Sequence, residues 1–285
     1  MAVTFSGQCM NNFRTYLTLS TVFAIIISPT IALAQDVGSQ SDGDNIAYAG
    51  AGIVAFSEYL GSDDIDVSPL PYLSVNNFKG FDVFGTALSY RLIDTGTGEG
   101  LGKWSLQAGP KATYQIGRDS DDSPNLIGFE DIGGSIPLGG YVRSTLGPVG
   151  LRLDAGQDVI GGHGGFTADA SIGTFYRLGN WAIQPSASVS WADSNHNESF
   201  FAITDTQAVG SPLTAFDVGS GIYSYSANVV TWIEFNEKYA LTFIGTYRKF
   251  TGDASDSPIL QASDGSTDGF YGAISLSRKF DLSKF

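Results

Sequence analysis

The chain has 285 residues with 15 basic and 29 acidic side chains, a formal charge of −14, and 42% hydrophobic residues. That charge excludes a phosphate-backbone partner, which needs a basic surface, so no nucleic acid is expected. Its one cysteine, Cys9, lies near the N-terminus, which excludes a disulfide framework, a thiolate metal site and a cysteine nucleophile for the rest of the chain.

Arg14 precedes an apolar run from Tyr16 to Ile31, which ends in Ala32-Leu33-Ala34 before Gln35. A positive start, a short apolar stretch interrupted by Pro29 and a small-x-small end predict a cleaved signal peptide over residues 1–34. Residues 35–46 read as a polar periplasmic lead and 47–285 as a single domain. Beyond the signal no run approaches the roughly 18 apolar residues of a helical span, so a membrane crossing here requires a closed β-barrel. The 36 glycines and 13% aromatics suit crowded barrel walls and interfacial girdles.

From Ala47 onward the chain is a series of short alternating segments. Candidate strands are 47–56, 69–76, 81–90, 103–115, 135–146, 149–159, 165–176, 181–190, 221–234, 238–249 and 268–280. Along 149–155, Val149, Leu151, Leu153 and Ala155 share one face and Arg152 and Asp154 the other, which predicts a lipid face and a polar lumen face. In the last strand Phe270, Ile274, Leu276 and Phe280 alternate with Tyr271, Ser275, Ser277 and Lys279. No segment shows sustained helical periodicity. The connections fall into short ones (76–80, 146–148, 178–180, 236–238) and long, acidic ones (57–68, 116–134, 191–220, 250–267). This asymmetry is that of short periplasmic turns and long outer loops. Eleven segments are one short of an even number, so the expected fold is an all-β, closed antiparallel transmembrane barrel of about twelve strands, with ten as the alternative. The missing strand is sought around Leu126–Phe129. Arg278 falls on the lipid-facing register, so it is expected at the periplasmic interface, with Phe280 in the aromatic girdle and 281–285 as a tail.

Few residues could do chemistry. His163 sits between two glycine pairs and reads as a turn residue. His196 has Ser194, Glu198 and Ser199 beside it in sequence, but neighbours in one loop are not a triad, and no Gly-x-Ser-x-Gly elbow is present. The clusters Asp63-Asp64-Asp66 and Asp119-Asp121-Asp122 lack the spacing of a calcium loop and read as a solvated acidic rim. Arg118, Arg143 and Arg152 are candidate inward cations, Asp154 being placed to pair with Arg152. No catalytic, cofactor or metal residue is assigned.

Ordered motifs along the chain resemble one family. They are Tyr59-Leu60-Gly61-Ser62-Asp63-Asp64, Ser68-Pro69-Leu70-Pro71, Gly117-Arg118-Asp119 with Leu126-Ile127-Gly128, Gly147-Pro148 and Gly161-Gly162-His163-Gly164-Gly165. Trp191-Ala192-Asp193, Phe200-Phe201-Ala202-Ile203, Ser220-Gly221-Ile222-Tyr223 and Gly252 to Ile259 complete them. The family is that of the MltA-interacting protein (MipA/OmpV). Its usual Tyr-Phe-Gly-Val stretch reads Phe200-Phe201-Ala202-Ile203 here. The resemblance implies a barrel in the Gram-negative outer membrane, touching lipid and lipopolysaccharide. It also implies a non-enzymatic scaffold for murein-remodelling enzymes, a lytic transglycosylase and a murein synthase. The alternatives are a small-solute pore and a barrel hydrolase.

Overall fold

The computed structural model describes residues 45–96 and 104–285. The predicted signal, and the lead up to residue 44, lie outside the described residues. The strands are β1 (Ile46–Ser57), β2 (Ile65–Phe78), β3 (Phe81–Phe84), β4 (Ala87–Tyr90), β5 (Ile93–Asp94), β6 (Trp104–Thr113) and β7 (Pro137–Leu146). They continue with β8 (Val149–Asp158), β9 (Phe166–Thr174), β10 (Tyr176–Leu178), β11 (Trp181–Ala192), β12 (Gly221–Asn236), β13 (Tyr239–Phe250) and β14 (Asp268–Asp281).

Each strand pairs antiparallel with its sequence neighbour, and β14 pairs with β1 from Phe56↔Tyr271 to Ile46↔Asp281. β4 and β5 both pair with β6 as one wall element, as β9 and β10 both do with β11. The ring therefore closes with twelve staves, which removes every edge a soluble sandwich would leave. The twelfth stave is not at Leu126–Phe129, where the sequence pointed: Pro124–Leu126 is a 3-10 turn, and Leu126 is fully buried. It comes instead from the segment 81–90, which folds back at Gly85-Thr86 into the β3–β4 hairpin.

The alternation sorts the side chains as physics requires. On β8, Leu151 and Leu153 are more than half exposed while Arg152 and Asp154 are buried in the lumen. Exposed Trp104, Tyr176, Trp181, Tyr239 and Phe280 ring one end of the wall, and Phe166, Tyr225, Tyr247 and Phe270 ring the other. Ten residues separate Phe270 from Phe280, about 34 Å of strand, or about 25 Å after a tilt near 40°, which matches an outer-membrane apolar band. Arg278 stays outward at the lower girdle, its guanidinium 5.3 Å from the Phe280 ring centroid. The β1–β14 seam is tight: a Cβ at Gly52 would lie 2.0 Å from the Ile274 carbonyl oxygen, so only glycine fits there.

The connections sort by end. Asn45 at the start of β1, the C-terminal tail after β14 and the turns at 79–80, 147–148, 179–180 and 237–238 lie together, and the loops 58–64, 114–136, 159–165, 193–220 and 251–267 lie at the other, outer end. Those loops carry fifteen acids against one cation, Arg118. They also hold helices that strand-like alternation did not reveal: α1 (Ser194–Phe201), α2 (Asp205–Gly210), α3 (Asp253–Asp256) and α4 (Pro258–Gln261).

Candidate functional site

The lumen has two unlike walls. On β6 to β9 it is charged. Arg152 donates to Asp154 through Nε (2.6 Å) and Nη2 (2.8 Å), and Lys111 Nζ donates to the same carboxylate at 2.7 Å. Arg143 Nη1 donates to Gln107 Oε1 at 3.3 Å, and the Arg152 guanidinium lies 4.7 Å from the Tyr141 ring centroid. Asp169, opposite Asp154 on β9, accepts from Ser190 Oγ at 2.5 Å. The facing wall is apolar, with Val54, Leu70, Tyr72, Phe84, Val230, Ile244 and Tyr271 in one buried cluster. At mid-height Gln184 and Val230 are 0% exposed and Thr242 1%, although all three point inward. A water-filled channel past them would leave them accessible, so this cross-section is packed.

The outer end is closed by a second hydrophobic cluster, to which four loops contribute. Tyr59, Leu126, Phe129, Ile132, Phe201, Ile203, Ile259 and Leu260 are among its buried members. Local sequence sets each piece. Asp193 caps α1 by accepting the His196 N–H at 3.1 Å, and Thr204 with Gln207 forms a capping box on α2. Ser257 caps α4 ahead of Pro258, and its hydroxyl donates to the Phe201 carbonyl at 2.6 Å. Arg118 is buried here rather than in the lumen. It donates to the Phe200 carbonyl at 3.0 Å, satisfying the end of α1, and lies 5.5 Å from the Phe129 ring centroid. Burial lowers its pKa to about 10, so it stays charged at neutral pH. The acids of the rim serve partly as turn caps: Asp122 accepts the Asp119 N–H at 3.1 Å, Asp131 accepts the Ser120 N–H at 2.8 Å, and Asp264 accepts from Ser123 and Asn125. Among the described residues no three His, Cys, Asp or Glu side chains converge as metal ligands.

The two histidines, 33 positions apart in sequence, meet under this cap. Their rings pack edge-to-face with centroids 4.7 Å apart, and both side chains are buried. His163 Nδ1 accepts the Gly165 N–H at 3.0 Å, which puts its proton on Nε2, a buried atom with no hydrogen-bond partner. His196 Nδ1 lies 3.2 Å from Asn197 Oδ1, and the Phe200 and Tyr223 ring centroids lie 4.9 and 5.1 Å from its own. Burial, with nearby His163 as a smaller cause, lowers His196 to about 3, and burial lowers His163 too. Both are neutral at physiological pH. The serine hydroxyls beside His196 in sequence do not reach its ring: Ser199 Oγ donates to the Asn195 carbonyl at 2.8 Å. The pairing of β9 with β11 is what brings the two histidine loops together, and no local sequence signal announces it. Below His196, between Tyr59, Tyr223, Phe250 and Tyr271, lies a cavity of about 140 Å³ with Arg248 in its wall.

The periplasmic end is different in charge. Among the described residues there, Lys79, Arg91, Arg177, Lys238, Arg278, Lys279 and Lys284 outnumber Asp82, Asp94, Glu234, Glu237 and Asp281. Arg91 clasps Asp82 with two 2.7 Å bonds, and Glu234 draws Arg177 (3.6 Å), Lys279 (3.8 Å) and Tyr48 (3.3 Å). Lys79 Nζ reaches the Phe285 carbonyl at 2.9 Å.

A family model described as MltA-interacting protein MipA matches residues 49–280. Outer membrane protein Omp26La of Vibrio anguillarum is 21% identical over 248 residues, covering 85% of this chain and 94% of that protein. Outer membrane protein OmpV of Vibrio cholerae serotype O1 is 21% identical over 187 residues, covering 65% and 70%. Among solved structures, the translocator domain of autotransporter NalP from Neisseria meningitidis aligns over 88% of this chain and 94% of that one, at 9% identity and a TM-score of 0.38. The family match runs from β1 almost to the end of β14, and on it this chain, an outer-membrane β-barrel, belongs to the MltA-interacting protein (MipA/OmpV) family.

Proposed function

We propose that this barrel is a non-enzymatic scaffold, anchored in the outer membrane, that docks a murein-remodelling enzyme at its periplasmic end. The observation that carries the reading is the packed mid-lumen, where inward Gln184, Val230 and Thr242 are inaccessible. A solute pore needs the opposite arrangement. A hydrolase needs a nucleophile held against a base, and Ser199 instead spends its hydroxyl on a backbone carbonyl. What the barrel offers the periplasm is a cationic rim, with Lys238 in the β12–β13 turn, Lys284 in the tail and Arg278 at the lower girdle. Complementary charge there would speed encounter with an acidic partner and fix its orientation. The family description, an MltA-interacting protein, supplies the kind of partner. The test is affinity capture of lytic transglycosylase and murein synthase from envelope extracts by the purified, folded barrel. Both are expected to be enriched over a beads-only control and to fall several-fold with K238E/K284E. No enrichment at low salt would overturn the scaffold.

A further inference from the structure

The twelve staves close the ring, but not at every height, because the β3–β4 hairpin is short. β2 rises past it from Tyr72 up to Ile65, and there, among the described residues, it pairs with β1 alone. The Gly85 N–H makes the last bond from the hairpin to β2, to the Leu73 carbonyl at 2.9 Å. On the hairpin's other side the Tyr114 N–H donates to the Thr86 carbonyl at 3.2 Å. Above that point Gln115 and Arg118 direct their backbone bonds the other way, to Ser135 and Ile132. The wall therefore has a notch above the hairpin, three strand spacings or about 14 Å across between backbones. Register sets its depth. Phe56 pairs with both Tyr271 and Asp66, beside Phe270 of the outer girdle, so Val67 to Leu73 descend from that girdle into the apolar band. Val67, Pro69, Pro71 and Leu73 all point outward, apolar and exposed.

An unpaired strand edge in hydrocarbon is costly, because its N–H groups find no acceptor. This edge presents no free N–H between Val67 and Pro71. Hydrogen-bonded positions alternate along an antiparallel strand. Asp64 accepts from Glu58, just past β1, and Leu73 accepts from Gly85, so even residues face β1 and odd residues face the notch. Pro69 and Pro71 are odd and carry no N–H, and the Val67 N–H is taken by the Asp66 carboxylate at 2.7 Å. Such an edge cannot donate to an added peptide strand, so the notch is not built for strand addition.

Behind the notch lies the cavity beneath the cap. Its wall holds Phe56 to Gly61 on one side and Gln115 to Gly117 on the other. No residue of β2, β3 or β4, the staves that stand between them in the ring, contributes to it. The cavity therefore faces the notch. Tyr72 packs edge-on against Phe84 at the foot of the notch, with ring centroids 6.0 Å apart.

We propose that an acyl chain of an outer-leaflet lipid enters through this notch and seats its terminal carbons in the cavity. The notch faces lipid, its outward flank is apolar, and its edge asks for no hydrogen bond from the occupant. A cavity of about 140 Å³ is close in size to one that takes up benzene, so it holds the end of one chain and no more. The headgroup stays at the interface. The packed mid-lumen lies below, so the chain gains a lateral seat and not a passage through the barrel.

Photolabelling tests this on the full chain folded into vesicles. The probe is a phosphatidylcholine with a diazirine either at the chain end or beside the headgroup, and labelled residues are mapped by mass spectrometry. The chain-end probe is expected to label inward Phe56 and Tyr271, and Ile116 in the cavity wall, besides outward Leu151 and Leu153. The headgroup-side probe is expected to leave Phe56 and Tyr271 unlabelled. I116W, which adds bulk where the notch meets the cavity, is expected to lower the inward labelling several-fold and to spare Leu151 and Leu153. Its folding is verified by the gel shift on boiling. Chain-end labelling confined to outward side chains in the unmodified protein would overturn the proposal, and so would undiminished inward labelling in I116W. Inward labelling by a lysophospholipid added from water, with none by the bilayer lipid, would overturn it too, since that marks entry through the cap.

Discussion

Asp154→Ala is expected to destabilise the folded barrel by about 3–5 kcal/mol, the cost of leaving buried cations without their carboxylate. Lys111 and Arg152 both direct their donors to Asp154, at 2.6 to 2.8 Å, and all three side chains are nearly inaccessible. Removing the anion strands two charges in a packed lumen. The cross-strand neighbour Asp169 is already engaged by Ser190, so it replaces Asp154 only in part. The triple change K111M/R152L/D154L is expected to recover most of the loss, because a buried ionic cluster exchanged whole for apolar side chains leaves no orphan. The measurement is the urea midpoint of unfolding in lipid vesicles, followed by the band that shifts on boiling. Equal midpoints for wild type and Asp154→Ala would mean that the cluster is hydrated rather than dry.

Acid is expected to loosen the cap before it unfolds the barrel. His196 is held at about 3 when folded, mainly by burial, against 6.5 in an exposed chain. Its folded-state pKa is depressed, so the native state resists protonation. The stabilisation is complete above pH 6.5 and drains away as pH falls from there toward 3. At pH 5 the cap should be weaker by about 2 kcal/mol from this group alone. His163, shifted the same way by burial, adds to the effect, while the carboxylates of Asp158 and Asp193 temper it. Limited proteolysis of the 193–220 loop should therefore quicken several-fold at pH 5 relative to pH 7, after correction for protease activity, while the barrel keeps its gel shift. His196→Phe, which sets an apolar ring beside Phe200 and Tyr223, should abolish most of that pH dependence. Equal cleavage of the wild type at both pH values would contradict it.

How legible these features are in sequence depends on the range of the interaction that creates them. The barrel wall is local in origin. A period of two puts Leu151 and Leu153 in lipid and Arg152 and Asp154 in the lumen whatever lies elsewhere in the chain. The Arg152–Asp154 pair was readable for that reason. The split of 81–90 was not, because two four-residue strands around Gly85-Thr86 are as long together as one ordinary strand. The cap is long-range. Leu126, Phe201 and Ile259 lie in loops far apart in the chain, and nothing local says that they share one core. The apolar stretch Leu126–Phe129 consequently resembled a strand. Signals for the small helices were present in Asp193, in Thr204 with Gln207, and in Ser257-Pro258, but each marks a helix too short to show periodicity. The Phe200–Ile203 and Gly252–Ile259 motifs that carried the family resemblance turn out to be cap residues.

The central claim is that the folded barrel is shut, and planar-bilayer conductance tests it most directly. Protein shown to be folded by its shift on boiling should insert without giving any steady ohmic conductance at neutral pH. A stable open channel of uniform unit conductance from such protein would contradict the packed lumen and the scaffold reading that rests on it.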